Sequence, residues 1–179
     1  MAKNGVVEIY QQSNGGKKMA KIITKELIQK AIELTKPSAI AILQMEGATW
    51  GPKMVNGGVE AYGVKERVLY SFHGEDESAW WEPTWGKPKD FIHIADKKLG
   101  LVMKHQMNTS VLVALYPALL EDGDFLYSGG AYKKGIGGAS ASGAKGRADE
   151  TIAQILLANI NMLVQLEKDR RILADQMEI

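Results

Sequence analysis

The residues of this sequence best suited to chemistry are its three histidines, His73, His93 and His105. Imidazole titrates near neutral pH and binds iron, so each histidine is a candidate general base or axial haem ligand. His73 ends a predicted strand beside Glu75 and Asp76, where a carboxylate could orient its ring. Because strand-end histidines more often have no chemical duty, the histidines alone do not predict a reaction.

A dedicated metal centre is not expected. His93 and His105 lie twelve residues apart on one predicted helix, and a rise of ~1.5 Å per residue separates them by about 18 Å, too far to bind one ion. The sequence contains no H-E-x-x-H motif and no cysteine. Zinc sites, thiol catalysis and disulfides are therefore not predicted.

The stretch GIGGASASGAKGRADETIA, residues 135–153, has the small residues of a phosphate-binding or nucleophile loop. A P-loop needs lysine directly after its second glycine, but Ala144 precedes Lys145. Ser140 stands where a dinucleotide fingerprint needs glycine, and Ser142 stands where a nucleophile elbow needs it. None of the three motifs is therefore predicted.

The alternation of tiny side chains at Gly138, Ser140 and Ser142 predicts close approach of a bulky group to this strand. That group is either a neighbouring helix or a flat ligand. Asp149 and Glu150 follow in the first turn of the predicted last helix, where carboxylates complement the positive helix end. Capping is the simplest role for both acids, and acid–base catalysis is the alternative.

Size and charge exclude several classes of protein. The 179 residues suit one domain, and 22 Lys+Arg against 21 Asp+Glu leave a net charge of +1. No basic surface for nucleic acid or anionic membrane is expected. No apolar run approaches the ~20 residues of a membrane span, and the N-terminus lacks the apolar core of a signal peptide. These features predict a cytoplasmic protein.

The periodicity predicts an α+β domain with an antiparallel sheet of about four to five strands, covered by helices that segregate to one face. Residues 1–20 are expected to be an N-terminal arm and residues 21–179 the domain, with insertions at about 46–65 and 77–90. The predicted strands are 39–45, 67–73, 125–132 and 135–142, the last two turning near Lys133 and Lys134.

Three helices are predicted, one ending at Pro37, one beginning at Asp90 and one over residues 148–176. The expected buried stripes are Ile23, Leu27, Ala31 and Leu34 in the first helix, and Ile152, Ile155, Leu156, Ile160, Leu163 and Leu166 in the last. All four tryptophans fall in predicted loops: Trp50, Trp80, Trp81 and Trp85. We expect them to form a pocket lid or a subunit interface.

Several motifs recur in the order seen in the GlcG/HbpS-like family, which includes the C-terminal domain of PduO-type proteins. The C-terminal stretch resembles the family signature at Ile136, Gly137, Ser142, Gly143, Ala144, Asp149, Glu150 and Ala153. "IHIADKKL" is similar to the family's central helix at Ile92, Ile94, Ala95 and Lys98, and "NTSVL", residues 108–112, is similar to the motif that follows it.

The resemblance implies a protein that binds haem or another small molecule and assembles into a homo-oligomer, a dimer or a larger assembly such as an octamer. Family members act in redox sensing, haem handling or catabolic operons. The implied pocket lies between the small-residue strand and the Lys98 helix. Its expected binding residues are Lys98, Thr109, Gly138, Ser140, Ser142 and Gly143, with the three histidines as candidate haem-iron ligands.

Two other functions stay open at this point. A small cofactor-independent enzyme, of isomerase, hydratase or lyase type, would use a histidine, Asp149 or Glu150 as base and a lysine or Thr109 to stabilise the oxyanion. An accessory subunit would instead use the tryptophan loops to dock onto a larger enzyme.

Overall fold

The computed structural model describes residues 22–45, 54–73, 91–124 and 126–177. Within these residues the elements follow one another as α1 (Lys25–Met45), β1 (Met54–Ala61), β2 (Val68–His73), α2 (Phe91–His105), α3 (Thr109–Leu115), a 3-10 turn (Pro117–Leu119), β3 (Gly130–Lys133), β4 (Gly137–Ser142) and α4 (Gly146–Met177). The predicted α+β class is confirmed. None of the described helices is long and apolar enough to cross a membrane.

The four strands form one antiparallel sheet in the order β2-β1-β4-β3. Each hairpin supplies two neighbouring strands, and the pairing of β1 with β4 joins the hairpins. All six residues of β4 are buried. The small-residue strand is therefore covered on both of its faces.

Helices cover both faces of the sheet, so the expectation of helices on one face is wrong. Val55, Val59 and Ala139 face α1 and α4 in one hydrophobic core. Residues of the opposite face lie under α2: a methyl group added at Gly58 or Gly138 would meet Leu99 at 3.3 Å. The sheet is thus the middle layer of three.

The predicted strand at 39–45 is wrong, because α1 continues through Pro37 to Met45. The buried residues of α1 recur every three or four positions on both sides of the proline: Ile28, Ala31, Ile32, Thr35, Ala39 and Leu43. This single stripe keeps the second half helical despite the hydrogen bond that proline cannot donate. The missing strand is supplied by β1, whose residues 54–61 lie within the segment expected as an insertion.

The remaining strands and the helices α2 and α4 lie close to their predicted positions, whereas α3 was not predicted. β2 and β4 fall within the predicted ranges, and the turn between β3 and β4 includes Lys134, but β3 is shorter than expected, at Gly130–Lys133. In the predicted stripes, Leu34 is 45% exposed and Leu166 is 57% exposed. The N-terminal arm, the 77–90 insertion and all four tryptophans lie outside the described residues.

Candidate functional site

A buried ion pair joins α2 to the start of α4. The Lys98 Nζ atom lies 3.1 Å from Oδ2 of Asp149, and both side chains are 3% exposed. Lys98 also donates a hydrogen bond to the carbonyl of Ala141 at 3.0 Å, so it contacts the end of β4. The backbone N–H of Ala144 donates to the other Asp149 oxygen at 2.9 Å. These contacts lock the β4–α4 connection against α2.

Two glycines with positive φ allow close packing at this connection, and the first of them makes room for the ion pair. Gly129 has φ 138°, and a methyl group there would collide with Lys98 Nζ and the Ala141 carbonyl. Gly143 has φ 139°, and its added methyl would collide with the carbonyl of Met54. Gly143 was expected to bind a cofactor. Its observed role is a close backbone approach in a conformation that L-residues rarely adopt.

Burial raises the pKa of Asp149 to about 6, although Lys98 and the N–H groups of Ala144 and Gly143 oppose that rise. Desolvation disfavours the charged carboxylate, and the positive partner and donors favour it. The carboxylate thus titrates much nearer neutral pH than an exposed aspartate does.

Glu150, the next residue, holds the N-terminal turn of α3. Its carboxylate accepts hydrogen bonds from the Ser110 N–H at 3.0 Å and the Ser110 hydroxyl at 2.6 Å. It also receives Gln154 Nε2 at 3.4 Å. A carboxylate at this position satisfies backbone donors that the short helix cannot. Glu150 therefore caps α3, whereas the sequence analysis expected it to cap the last helix.

Asn108 and Thr109 cap the outer edge of β3. The Gly130 N–H donates to Thr109 Oγ1 at 3.0 Å, and the Tyr132 N–H donates to Asn108 Oδ1 at 2.9 Å. Thr109 is fully buried. The Thr109 hydroxyl therefore accepts a hydrogen bond from the backbone at the sheet edge, and so does the side-chain amide oxygen of Asn108.

Five polar side chains of the α2 face lie together on three neighbouring strands. The register aligns Ser71, Asn56 and Ser142 across three strands, with Ser140 two residues before Ser142 and His73 two residues after Ser71. We call these five residues the polar end of the sheet. Asn56 is 7% exposed and Ser142 is 3% exposed. Ser71 is exposed and His73 is half-buried, so this surface runs from a buried part to the solvent. Its amide and hydroxyl groups are suited to hydrogen-bond a polar ligand.

Ser140 carries a hydroxyl that is unusual for a buried polar group because it is unpaired. Its side chain is fully buried, and its Oγ atom has no hydrogen-bond partner among the described residues. Buried hydroxyls are normally paired, so an unpaired one calls for a specific explanation. Ser140 lies in register between Gly58 of β1 and Gly130 of β3.

The other small residue of this strand, Gly138, packs against α2. A methyl group at Gly138 would lie 2.7 Å from Val102 Cγ1 and 2.8 Å from Met103 Sδ. The bulky group that approaches the strand at this position is therefore a helix. The space between Gly138 and the Lys98 helix, expected to belong to the pocket, is filled by side chains.

Tyr70 is a site residue that the sequence analysis missed. Its hydroxyl donates a 2.7 Å hydrogen bond to the carbonyl of Ser140, two strands away. The ring crosses Gly57, where any side chain would collide with it. Burial raises the Tyr70 pKa, and the negative charge of Asp149 adds to the rise. A glycine on the intervening strand was the only signal in the sequence.

The three histidines occupy different places. His73 lies at the polar end, with Nε2 3.1 Å from Ser71 Oγ. His93 lies in the first turn of α2 and His105 is its last residue, as the sequence spacing predicted. Among the described residues no cluster of three histidine, aspartate or glutamate side chains could hold a metal ion.

The chain matches no protein-family model and, at a significant level, no curated protein.

Proposed function

We propose that the chain is an oligomeric small-molecule- or cofactor-binding protein of the GlcG/HbpS type, with haem among the candidate ligands. The observation that carries the proposal is the unpaired, fully buried Ser140 hydroxyl beside Asn56 and Ser142. A ligand's polar group would satisfy it by entering between Ser140 and α2, which covers this part of the strand. Functional sites often retain such locally unfavourable groups because a ligand later pairs with them.

The arrangement of the motif residues supports the family resemblance. Lys98, Thr109, Asp149 and Glu150 come from three separate motifs, and they form adjoining buried contacts where α2, α3, β3 and α4 meet. Most of these residues bond to one another or to the backbone. They support the scaffold, which leaves the polar end as the surface for a ligand.

The polar end offers a haem two kinds of donor. His73 would hold the iron, and Asn56 with Ser142 would donate hydrogen bonds to the carboxylate groups. Haem, when bound, would supply a redox-active iron. The same amide and hydroxyl donors also suit a small carboxylate without a metal.

The enzyme alternative receives less support. Asp149 is held by Lys98 and Ala144, and Glu150 is held by Ser110. Each carboxylate already has buried hydrogen-bond partners, which compete with a role as general base. The accessory-subunit alternative depends on tryptophans outside the described residues.

The test is an absorption titration of the purified protein with haem, together with thermal melting in a panel of small carboxylates. We expect either a shifted Soret band or a raised melting temperature. The Ser140→Ala variant should bind at least tenfold more weakly without a lower melting temperature, because it removes only an unpaired hydroxyl.

Thr109→Val is the matched control. Its hydroxyl is satisfied by the β3 edge, so its loss should lower the melting temperature and leave ligand affinity unchanged. Absence of both a Soret shift and a thermal shift would contradict the proposed function, and so would unchanged affinity in Ser140→Ala.

A further inference from the structure

The two edge strands of the sheet, β3 and β2, differ in the partners of their outward-facing backbone groups. Asn108 and Thr109 cap the outer edge of β3, where their side chains bond the Gly130 and Tyr132 N–H groups. At the other edge, no strand of the described residues pairs with the outer side of β2. Alternate N–H and C=O groups of β2 therefore point away from β1 and are available to another strand.

The sequence of β2 lacks the usual protection of an exposed edge. Residues 68–72 read Val-Leu-Tyr-Ser-Phe, with no charge, proline or glycine. Natural edge strands usually carry such residues to prevent pairing with another chain. β-Branched and aromatic residues, by contrast, favour pairing. The composition of β2 is that of a strand with neighbours on both sides.

Exposed apolar side chains lie beside this edge. Leu69 is 60% exposed on the α2 face of β2. The contact of Asp96 with Arg67 places α2 near the start of β2, and the approach of Val102 to Gly130 places its far end at β3. The first turn of α2 must then lie on the β2 side, where Ile92 is 55% exposed.

We propose that a second copy of this chain pairs with β2, in an antiparallel, two-fold arrangement centred on Tyr70 that joins the two sheets. Val68 then lies opposite Phe72 of the partner subunit, and Leu69 lies opposite the partner's Ser71. This register keeps the apolar face of both strands on the same side of the joined sheet. A two-fold axis makes the two edges complementary to each other.

The charges at the ends of β2 favour the same register. Arg67 is paired with two carboxylates, Glu60 at 2.8 Å and Asp96. This group of three carries a net negative charge. The pairing centred on Tyr70 places this group opposite His73 of the partner subunit, whose imidazole carries an N–H that can donate a hydrogen bond to a carboxylate.

This inference deepens the oligomeric part of the proposed function and does not depend on the ligand. The test is the mass in solution of the wild type and of two leucine-to-lysine variants, measured by light scattering. Leu69→Lys places two lysines close together across the two-fold axis. It should halve the mass of the assembly while circular dichroism shows that the subunit stays folded.

Leu115→Lys is the matched control, because Leu115 is 68% exposed on α3. It should leave the mass unchanged. Amide exchange should also show slow exchange in residues 68–72 of the wild type and fast exchange at the outward-facing amides in Leu69→Lys.

A wild type with a mass of 19.6 kDa at micromolar concentration overturns this inference and the oligomeric part of the proposed function. An assembly whose mass Leu69→Lys leaves unchanged overturns the β2 pairing alone. The failure of ligand binding is measured separately, by the haem and carboxylate titrations, and leaves the β2 pairing intact.

Discussion

The ammonium of Lys98 and the carboxylate of Asp149 lie 3.1 Å apart with both side chains 3% exposed, although 51 residues separate them in the sequence. A buried ion pair gains little over an apolar pair of the same shape, but the loss of one partner leaves an uncompensated charge. The pair therefore fixes how α2 and α4 meet without adding much net stability.

The first prediction is a double-mutant cycle on this pair. At pH 7, Lys98→Met should lower the free energy of unfolding by about 3–5 kcal/mol, because it leaves the Asp149 carboxylate buried and unpaired. Asp149→Asn should cost less, because burial already disfavours the charged form of Asp149 and raises its pKa. The double variant should be less destabilised than the sum of the two. Urea denaturation of the four proteins gives the coupling free energy, and strictly additive losses would show that the ion pair has no energetic coupling.

The second prediction is a pH dependence that belongs to Asp149. Its pKa rises from 3.8 to about 6 on folding, so between these values the folded chain holds a proton that the unfolded chain releases. The contribution of Asp149 to the free energy of unfolding therefore falls as pH rises from 3.8 to about 6, and it is constant at higher pH. The difference in unfolding free energy between wild type and Asp149→Asn isolates the effect. An increase in this difference with pH would contradict the sign.

The fold was predictable from the sequence where one pattern excluded the others. The hairpin of β3 and β4 and the helix α4 have clear turn and periodicity signals, and both form near the predicted positions. The run AIAILQM, residues 39–45, carries no signal that separates strand from helix, because a short apolar run fits either a buried strand or a buried helix. Its burial against α4 decides for the helix.

The candidate site was predictable in part. The motif residues Lys98, Thr109, Asp149 and Glu150 do come together, but their partners include backbone groups that no side-chain pattern reveals. The contact of Tyr70 with the Ser140 carbonyl depends on the strand order, since Gly57 of β1 lies between them. The register between distant strands is set by the folded sheet, and the only sign of it in the sequence is a glycine.

The third prediction compares two glycine-to-alanine changes. Gly138→Ala puts a methyl group 2.7 Å from Val102 Cγ1, and such overpacking should cost about 1–3 kcal/mol. Gly100→Ala lies in α2 with nothing within 4 Å of the added methyl. It should stabilise by about 0.5–1 kcal/mol, because glycine is unfavourable inside a helix. Equal melting temperatures for the two variants would show that α2 does not pack closely on β4.

The last prediction separates size from polarity at Ser140. Its neighbours in register, Gly58 and Gly130, both lie under α2, where an added methyl would contact Leu99 or Val102. Ser140→Leu therefore has no room for its side chain, and we expect a loss of about 1–3 kcal/mol from overpacking, with a lower melting temperature. Ser140→Ala removes an unpaired hydroxyl and adds no volume, so its stability should equal or exceed that of the wild type. An unchanged melting temperature in Ser140→Leu would mean that the surface around Ser140 is open, and that α2 covers Gly138 but not the polar end of the sheet.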